Sequence, residues 1–168
     1  MTDAPAPSFA IFRTADAPDF EESGAMSAHP MTQVEIDGSV ALANAGYDSG
    51  YHLKLLFSKP GMSLTHVWFK SGFPLPRHSH DADCLYYIIS GSVRLGAEDL
   101  GPGDGFLIGK DVPYTYVAGE AGVQLLEFRT ADVFDIRILA DSPSFWSRAL
   151  GTVEEKQTVW AGEPMPAT

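Results

Sequence analysis

One cysteine, few basic residues and no long apolar run mark this sequence, and each shortage excludes something. With Cys84 alone there is no internal disulfide, and nothing that calls for an oxidising compartment. Eleven Lys and Arg stand against 22 Asp and Glu, a net charge of -11 that argues against nucleic acid or an anionic membrane as partner. No apolar stretch approaches the ~20 residues needed to cross a bilayer. Met1-Thr2-Asp3 opens without the basic and then apolar segments of a signal peptide. No internal repeat of about 20–50 residues is present. These absences predict a soluble, cytoplasmic, acidic protein. Hydrophobic content of 45% and aromatic content of 11% in 168 residues exclude a wholly disordered chain and suit one domain with a real core.

The chain divides into three stretches. Residues 1–32 carry Pro5, Pro7, Pro18 and Pro30 among small and acidic residues and read as an N-terminal arm or lead-in. Its apolar triplet Ala10-Ile11-Phe12 suits docking on the body of the domain or on a second subunit. Residues 33–140 alternate short apolar runs with Gly, Pro and Asp, and predict an all-β barrel or sandwich. The predicted strands are 34–36, 51–57, 63–70, 85–90, 92–95, 105–108, 114–117, 123–129 and 135–139. Lys59-Pro60-Gly61, Ser90-Gly91 and Gly101-Pro102-Gly103-Asp104 supply tight turns between them. Residues 141–168 form a C-terminal helix and tail. Ser142-Pro143 starts the helix, and Phe145, Trp146, Ala149, Leu150 and Val153 fall at helical spacing. Gly151 costs about 1 kcal/mol against Ala and predicts a short or broken helix.

The segment from Gly72 to Gly91 is the most informative. Five residues separate Gly72 from His78-Ser79-His80, three more lead to Cys84, and six more to Gly91. In an extended segment His78 and His80 point to one side, which makes them a half-site for a divalent transition metal. This segment resembles the first motif of the cupin superfamily, G(X)5HXH(X)3,4E(X)6G, with Cys84 in place of the Glu. The second motif, G(X)5PXG(X)2H(X)3N, is matched more weakly. Pro102 to Ile108 resembles its turn and strand, and Tyr114, after Asp111-Val112-Pro113, stands where the family has a metal-binding His. The closing Asn is absent, with Ala118 near its place. The resemblance spans roughly residues 50 to 130. It implies a double-stranded β-helix (jelly-roll) barrel with the site inside the mouth, and a commonly dimeric protein. Exposed sheet edges and the apolar lead-in also point to a homodimer. The fold fixes no reaction.

Cys84 is either a buried apolar thiol or a third, thiolate ligand to the metal, which would favour zinc, copper or iron. Tyr114 is a ligand, a hydrogen-bond donor or an aromatic lining. A phenol with a pKa near 10 favours the last two. Alternation puts Tyr116 on the face of Tyr114, and Tyr86 and Ile88 on the face of Cys84, lining a pocket for a small, partly apolar molecule. His52 and His66 carry no spacing signal and read as ordinary strand histidines. Asp81 and Asp83 read as turn residues, either being a substitute ligand if it swings inward.

Two histidines and a softer ligand would leave open positions on iron, zinc or nickel, to polarise a carbonyl or enolate, activate water or bind dioxygen. The resemblance implies a metal-dependent dioxygenase, isomerase, decarboxylase or lyase acting on a small organic molecule, with Tyr114 or Tyr86 donating a proton. The alternative is a non-catalytic cupin that binds a small molecule or metal as a sensor or store. A third reading is a barrel without metal in which the two histidines are relics.

Overall fold

The structure, a computed structural model, describes residues 8–166. In chain order the elements are β1 (Met26–Ala28), α1 (Gln33–Asn44), β2 (Tyr51–Lys59), β3 (Met62–Phe69), β4 (His78–Ser79), β5 (Cys84–Leu95), β6 (Glu98–Leu100), β7 (Gly105–Ile108), β8 (Val117–Arg129), β9 (Phe134–Ile138) and α2 (Pro143–Gly162). Six strands form one sheet in the order β2-β3-β8-β5-β6, with β7 also on β5; β1-β9-β4 form a second. The bridges His78–Tyr114 and Pro74–Val117 join strand edges across the barrel wall. The predicted all-β jelly roll with a C-terminal helix is the fold observed.

Strict alternation builds the interior. Cys84, Tyr86, Ile88 and Ser90 of β5 are buried while Leu85 and Tyr87 stay about half exposed. From Val123 to the end of β8 the buried residues are Val123, Leu125, Glu127 and Arg129. Tyr86, Ile88, Val67, Val123 and Leu125 have no exposed surface, and burial of an apolar side chain of this size contributes about 1.5–3 kcal/mol. Leu85 faces Leu107 of β7 on the outer surface, where both are exposed. Gly91 sits at φ 74°, and a Cβ there would lie 2.1 Å from the carbonyl oxygen of Gly122. That contact holds β5 and β8 in register at the far end of the barrel.

Four local expectations change. Ser90-Gly91 is not a turn: it lies within β5, where the pairing to β8 shifts register and the strand bends without ending. Val34–Ile36 is not a strand but the first turn of α1, because Thr32 caps it. Thr32 Oγ1 accepts from the Glu35 amide at 3.4 Å, while the Glu35 carboxylate takes the Thr32 amide at 2.9 Å. The strand predicted over 114–117 is one bridge at Tyr114, with β8 starting at Val117. Gly151 does not break α2, which runs 20 residues on the apolar face of Trp146, Ala149, Val153 and Trp160.

The chain ahead of α1 is tied down as well. Parallel β1 pairs Met26–Ala28 with Phe134–Ile136, and Phe20 packs on Phe134 at 6.0 Å. Phe12 lies 6.4 Å from Phe57, so this end of the predicted docking triplet rests on the body of the domain. Among the described residues no helix is long and apolar enough to cross a membrane.

Helices α1 and α2 roof the barrel mouth and meet at Gly38. A Cβ built there would lie 2.1 Å from the Trp146 ring. The Trp146 indole nitrogen donates to the Ala140 carbonyl at 2.6 Å, so the ring has no room to yield. Gly38→Ala is expected to lower unfolding stability by about 2 kcal/mol or more in urea denaturation. A neutral result would show that the roof repacks freely.

Candidate functional site in the barrel mouth

His78 and His80 are placed by β4. Edge pairing with β9 sets His78 opposite Ile138 and Ser79 opposite Arg137. The bridge to Tyr114 exchanges two backbone hydrogen bonds, of 3.0 and 2.9 Å, so the His78 and Tyr114 rings lie 4.4 Å apart. His80 follows on the same side, its ring 5.0 Å from that of His78. Each imidazole donates through Nδ1 to a backbone carbonyl: His78 to Pro76 at 2.7 Å and His80 to Asp135 at 2.6 Å. That tautomer leaves both Nε2 lone pairs free. Asp81 and Asp135 brace the corner, each carboxylate accepting the other residue's amide at 3.0 and 2.8 Å, and His29 bonds to the Asp135 carboxylate.

The largest charges in the site come from two residues with no place in the sequence-based proposal. Arg129 and Glu127 project inward from β8 as a buried ion pair, with Nη1 2.7 Å from Oε2. The contact lacks hydrogen-bond alignment, and Nη1 and Nε of Arg129 have no hydrogen-bond partner among the described residues. The guanidinium lies 4.3 Å over the Phe134 ring. Across the sheet, Arg129 faces Cys84 on one side and Ser63 on the other, and Glu127 faces Tyr86 and Thr65. The alternation that buries Val123 and Leu125 would have revealed both residues from the sequence, since Val123, Leu125, Glu127 and Arg129 share one face.

Electrostatics follow from burial around this pair. Burial, opposed by the Pro76 carbonyl and aided by Arg129, lowers the His78 pKa to about 4. Burial, Arg129 and His78 together take His80 to about 3. Both imidazoles are therefore neutral and accept hydrogen bonds at physiological pH. Burial pulls the Arg129 pKa down and the adjacent Glu127 carboxylate more than restores it, so the guanidinium stays charged. Burial and then Glu127 push Tyr114 and Tyr86 well above the ordinary phenol range, and their hydroxyls bond to one another. Both remain phenols, able to donate.

An outer cavity of about 520 Å³ opens under the roof, walled by Phe20, Leu42, Tyr47, Phe73, Ile138 and Trp146, with Glu21 and Asp48 also in its lining. An inner chamber of about 90 Å³ is lined by His78, His80, Tyr114, Tyr116, Glu127 and Arg129. Leu53, Phe69, Leu75 and Ile136 line both and form the throat. Of the residues singled out in the sequence, His78, His80, Tyr114 and Tyr116 converge on this chamber. Tyr86 stands behind Tyr114, and Cys84 is buried in the core rather than in the chamber lining. Burial and then Glu127 push the Cys84 thiol up to about 12, which leaves it protonated. His66 accepts or donates at Gln124, and His52 stacks on Trp68 at 5.2 Å; neither lines the cavities. Asp83 accepts the Lys110 amide at 2.8 Å in a turn.

As a metal centre the set is half built. Two imidazoles present free nitrogens, but among the described residues no three His, Cys, Asp or Glu side chains are placed to hold a metal ion together, and the chamber's carboxylate, Glu127, is paired to a guanidinium. These residues do not fit a metal held by three protein side chains.

No protein-family model matches the chain, and no curated protein matches it significantly. Solved structures do. The polyketide cyclase RemF from Streptomyces resistomycificus is 18% identical with a TM-score of 0.52, over 64% of this chain and 84% of that one. KdgF from Halomonas sp. is 25% identical with a TM-score of 0.45, over 49% and 81%. An RmlC-like cupin from Shewanella frigidimarina is 21% identical with a TM-score of 0.45, over 49% and 78%. The fold of this chain is the cupin barrel.

The neutral histidines carry a pH signature. Unfolded, both titrate near 6.5; folded, they resist protonation down to about 4 and about 3. Between these limits the unfolded chain binds more protons, so stability falls as pH falls. The expected loss from pH 7 to pH 5 is roughly 2 kcal/mol per histidine. Urea unfolding of His78→Gln/His80→Gln should show a clearly smaller loss than wild type over that interval; an equal loss would mean the imidazoles are not held neutral.

Proposed function

We propose that this cupin binds and transforms a small organic molecule with an apolar body and an oxygen-bearing head, by proton transfer in an isomerase- or lyase-type reaction. One observation carries the reading: an apolar cavity of about 520 Å³ narrows to a polar chamber holding His78, His80, Tyr114, Glu127 and Arg129. Ligand sites have this composition, an apolar wall with a few convergent polar groups. The neutral Nε2 atoms of His78 and His80 accept a hydrogen bond or a proton from the bound molecule. Tyr114, backed by Tyr86, donates one. Low pKa values make the imidazoles weak bases, so a proton passes to them only where the negative charge left on the substrate is stabilised in the same site.

A second reading, the metal-dependent dioxygenase, isomerase or lyase that the motif implies, is favoured by a separate observation. Both Nδ1–H groups are tied to backbone carbonyls, as in metal-ligating histidines. The non-catalytic binder needs the same pocket without the proton transfer.

A screen of small oxygenated compounds by thermal shift, with product analysis of every hit, tests the proposal. Hits should stabilise wild type and lose their shift in Leu53→Trp, which fills the throat. Conversion of a hit should disappear in His78→Ala/His80→Ala. Hits bound without conversion would favour the binder. Near-stoichiometric metal in the purified protein, lost in the double histidine variant, would favour the metal-dependent reading.

A further inference from the structure

Arg129 is a charged group with two buried donors, Nε and Nη1, that meet no acceptor in line among the described residues, Nη1 touching Glu127 only out of hydrogen-bond alignment. The residue is 4% exposed, and it lines the inner chamber. A buried donor left unmatched is costly, and a native structure that keeps two on one guanidinium calls for an acceptor from outside the chain. Phe134 beneath the guanidinium and Glu127 beside it hold the cation in place. A second cation would meet the guanidinium charge, and Glu127, the carboxylate lining the chamber, already neutralises Arg129.

We propose that Arg129 is the fixed cation of this site and that it receives the carbonyl or enolate oxygen of a neutral, apolar ketone or aldehyde without a metal. This rests on the barrel mouth being a ligand site, as proposed above. Neutrality of the ligand follows from three features. The chamber's guanidinium is already in contact with a carboxylate, so the pair has no net charge to offer an anion. Glu21 and Asp48 line the outer cavity, and the chain carries a net charge of -11, which repels anions on approach. A carboxylate head would also have to compete with Glu127 for the guanidinium. A carbonyl oxygen needs only the two free hydrogens, and the chamber of about 90 Å³ takes such a head while the outer cavity takes its body. When a proton leaves the carbon beside the carbonyl and passes to an imidazole Nε2, the electron pair moves onto the oxygen, where Arg129 stabilises it.

Three naphthalenes of nearly one shape test this by calorimetry in excess EDTA: 2-acetylnaphthalene, 2-ethylnaphthalene and 2-naphthoate. Wild type is expected to bind the ketone about tenfold or more tightly than the hydrocarbon, and the carboxylate more weakly than the ketone. Arg129→Met should erase the preference for the ketone. Because that change strands the Glu127 charge, Glu127→Gln/Arg129→Met is measured beside it, with thermal melts to establish folding. Equal binding of ketone and hydrocarbon would overturn the role of Arg129 and leave the pocket reading standing. A ketone preference that persists in the double variant, or that appears only without EDTA, would also overturn it. No binding of any of the three would count against the ligand site itself.

Discussion

A carboxylate and a guanidinium side by side inside the barrel govern the chemistry around them. Glu127 and Arg129 bring opposite charges into the interior, where each ion carries a desolvation cost of several kcal/mol and survives only because the other is there. Apolar residues in their place would fold at least as well. The pair therefore reads as a requirement of the site rather than of the fold. Burial sets the direction for the neighbouring titratable groups and the pair adds to it: Arg129 helps hold the imidazoles neutral, Glu127 helps keep the phenols and the thiol protonated, and a permanent cation stands beside two lone pairs.

The roof over this chamber comes from segments outside the six-stranded sheet. Phe20 and Met26 arrive from the N-terminal side, Leu42 from α1 and Trp146 from α2. Glu35 links these parts, since its carboxylate both completes the α1 cap and accepts the Ala140 amide at 3.1 Å. One residue thus couples the start of a helix to the exit of the last strand, and the cavity depends on both.

Much of the site was legible in the sequence, and the reasons for the rest are physical. His-x-His in an extended segment had to place both rings together, and the glycine-framed motif marked them. The barrel followed from short alternating runs, and α2 from its Ser-Pro start. Glu127 and Arg129 escaped because polar residues in a strand are ordinarily its wet face, although alternation from Leu125 points them inward. Val34 and Ile36 alternate as a strand does, and the Thr32–Glu35 capping box just ahead of them carries the contrary signal. Cys84 stands at the motif's carboxylate position and faces the interior, yet position alone could not distinguish a ligand from a buried thiol opposite a guanidinium.

Strand β8 is turned the wrong way for a simple oil-drop fold. Leu126 and Phe128 are only half buried on its outer side, while Glu127 and Arg129 occupy the interior. Slipping β8 by one residue would turn both sets over, but it would also carry the fully buried Val123 and Leu125 outward. The observed alignment keeps those two inside and seats Gly91 against Gly122, where a Cβ would not fit. The two charges are thus passengers of the apolar residues that precede them in the strand.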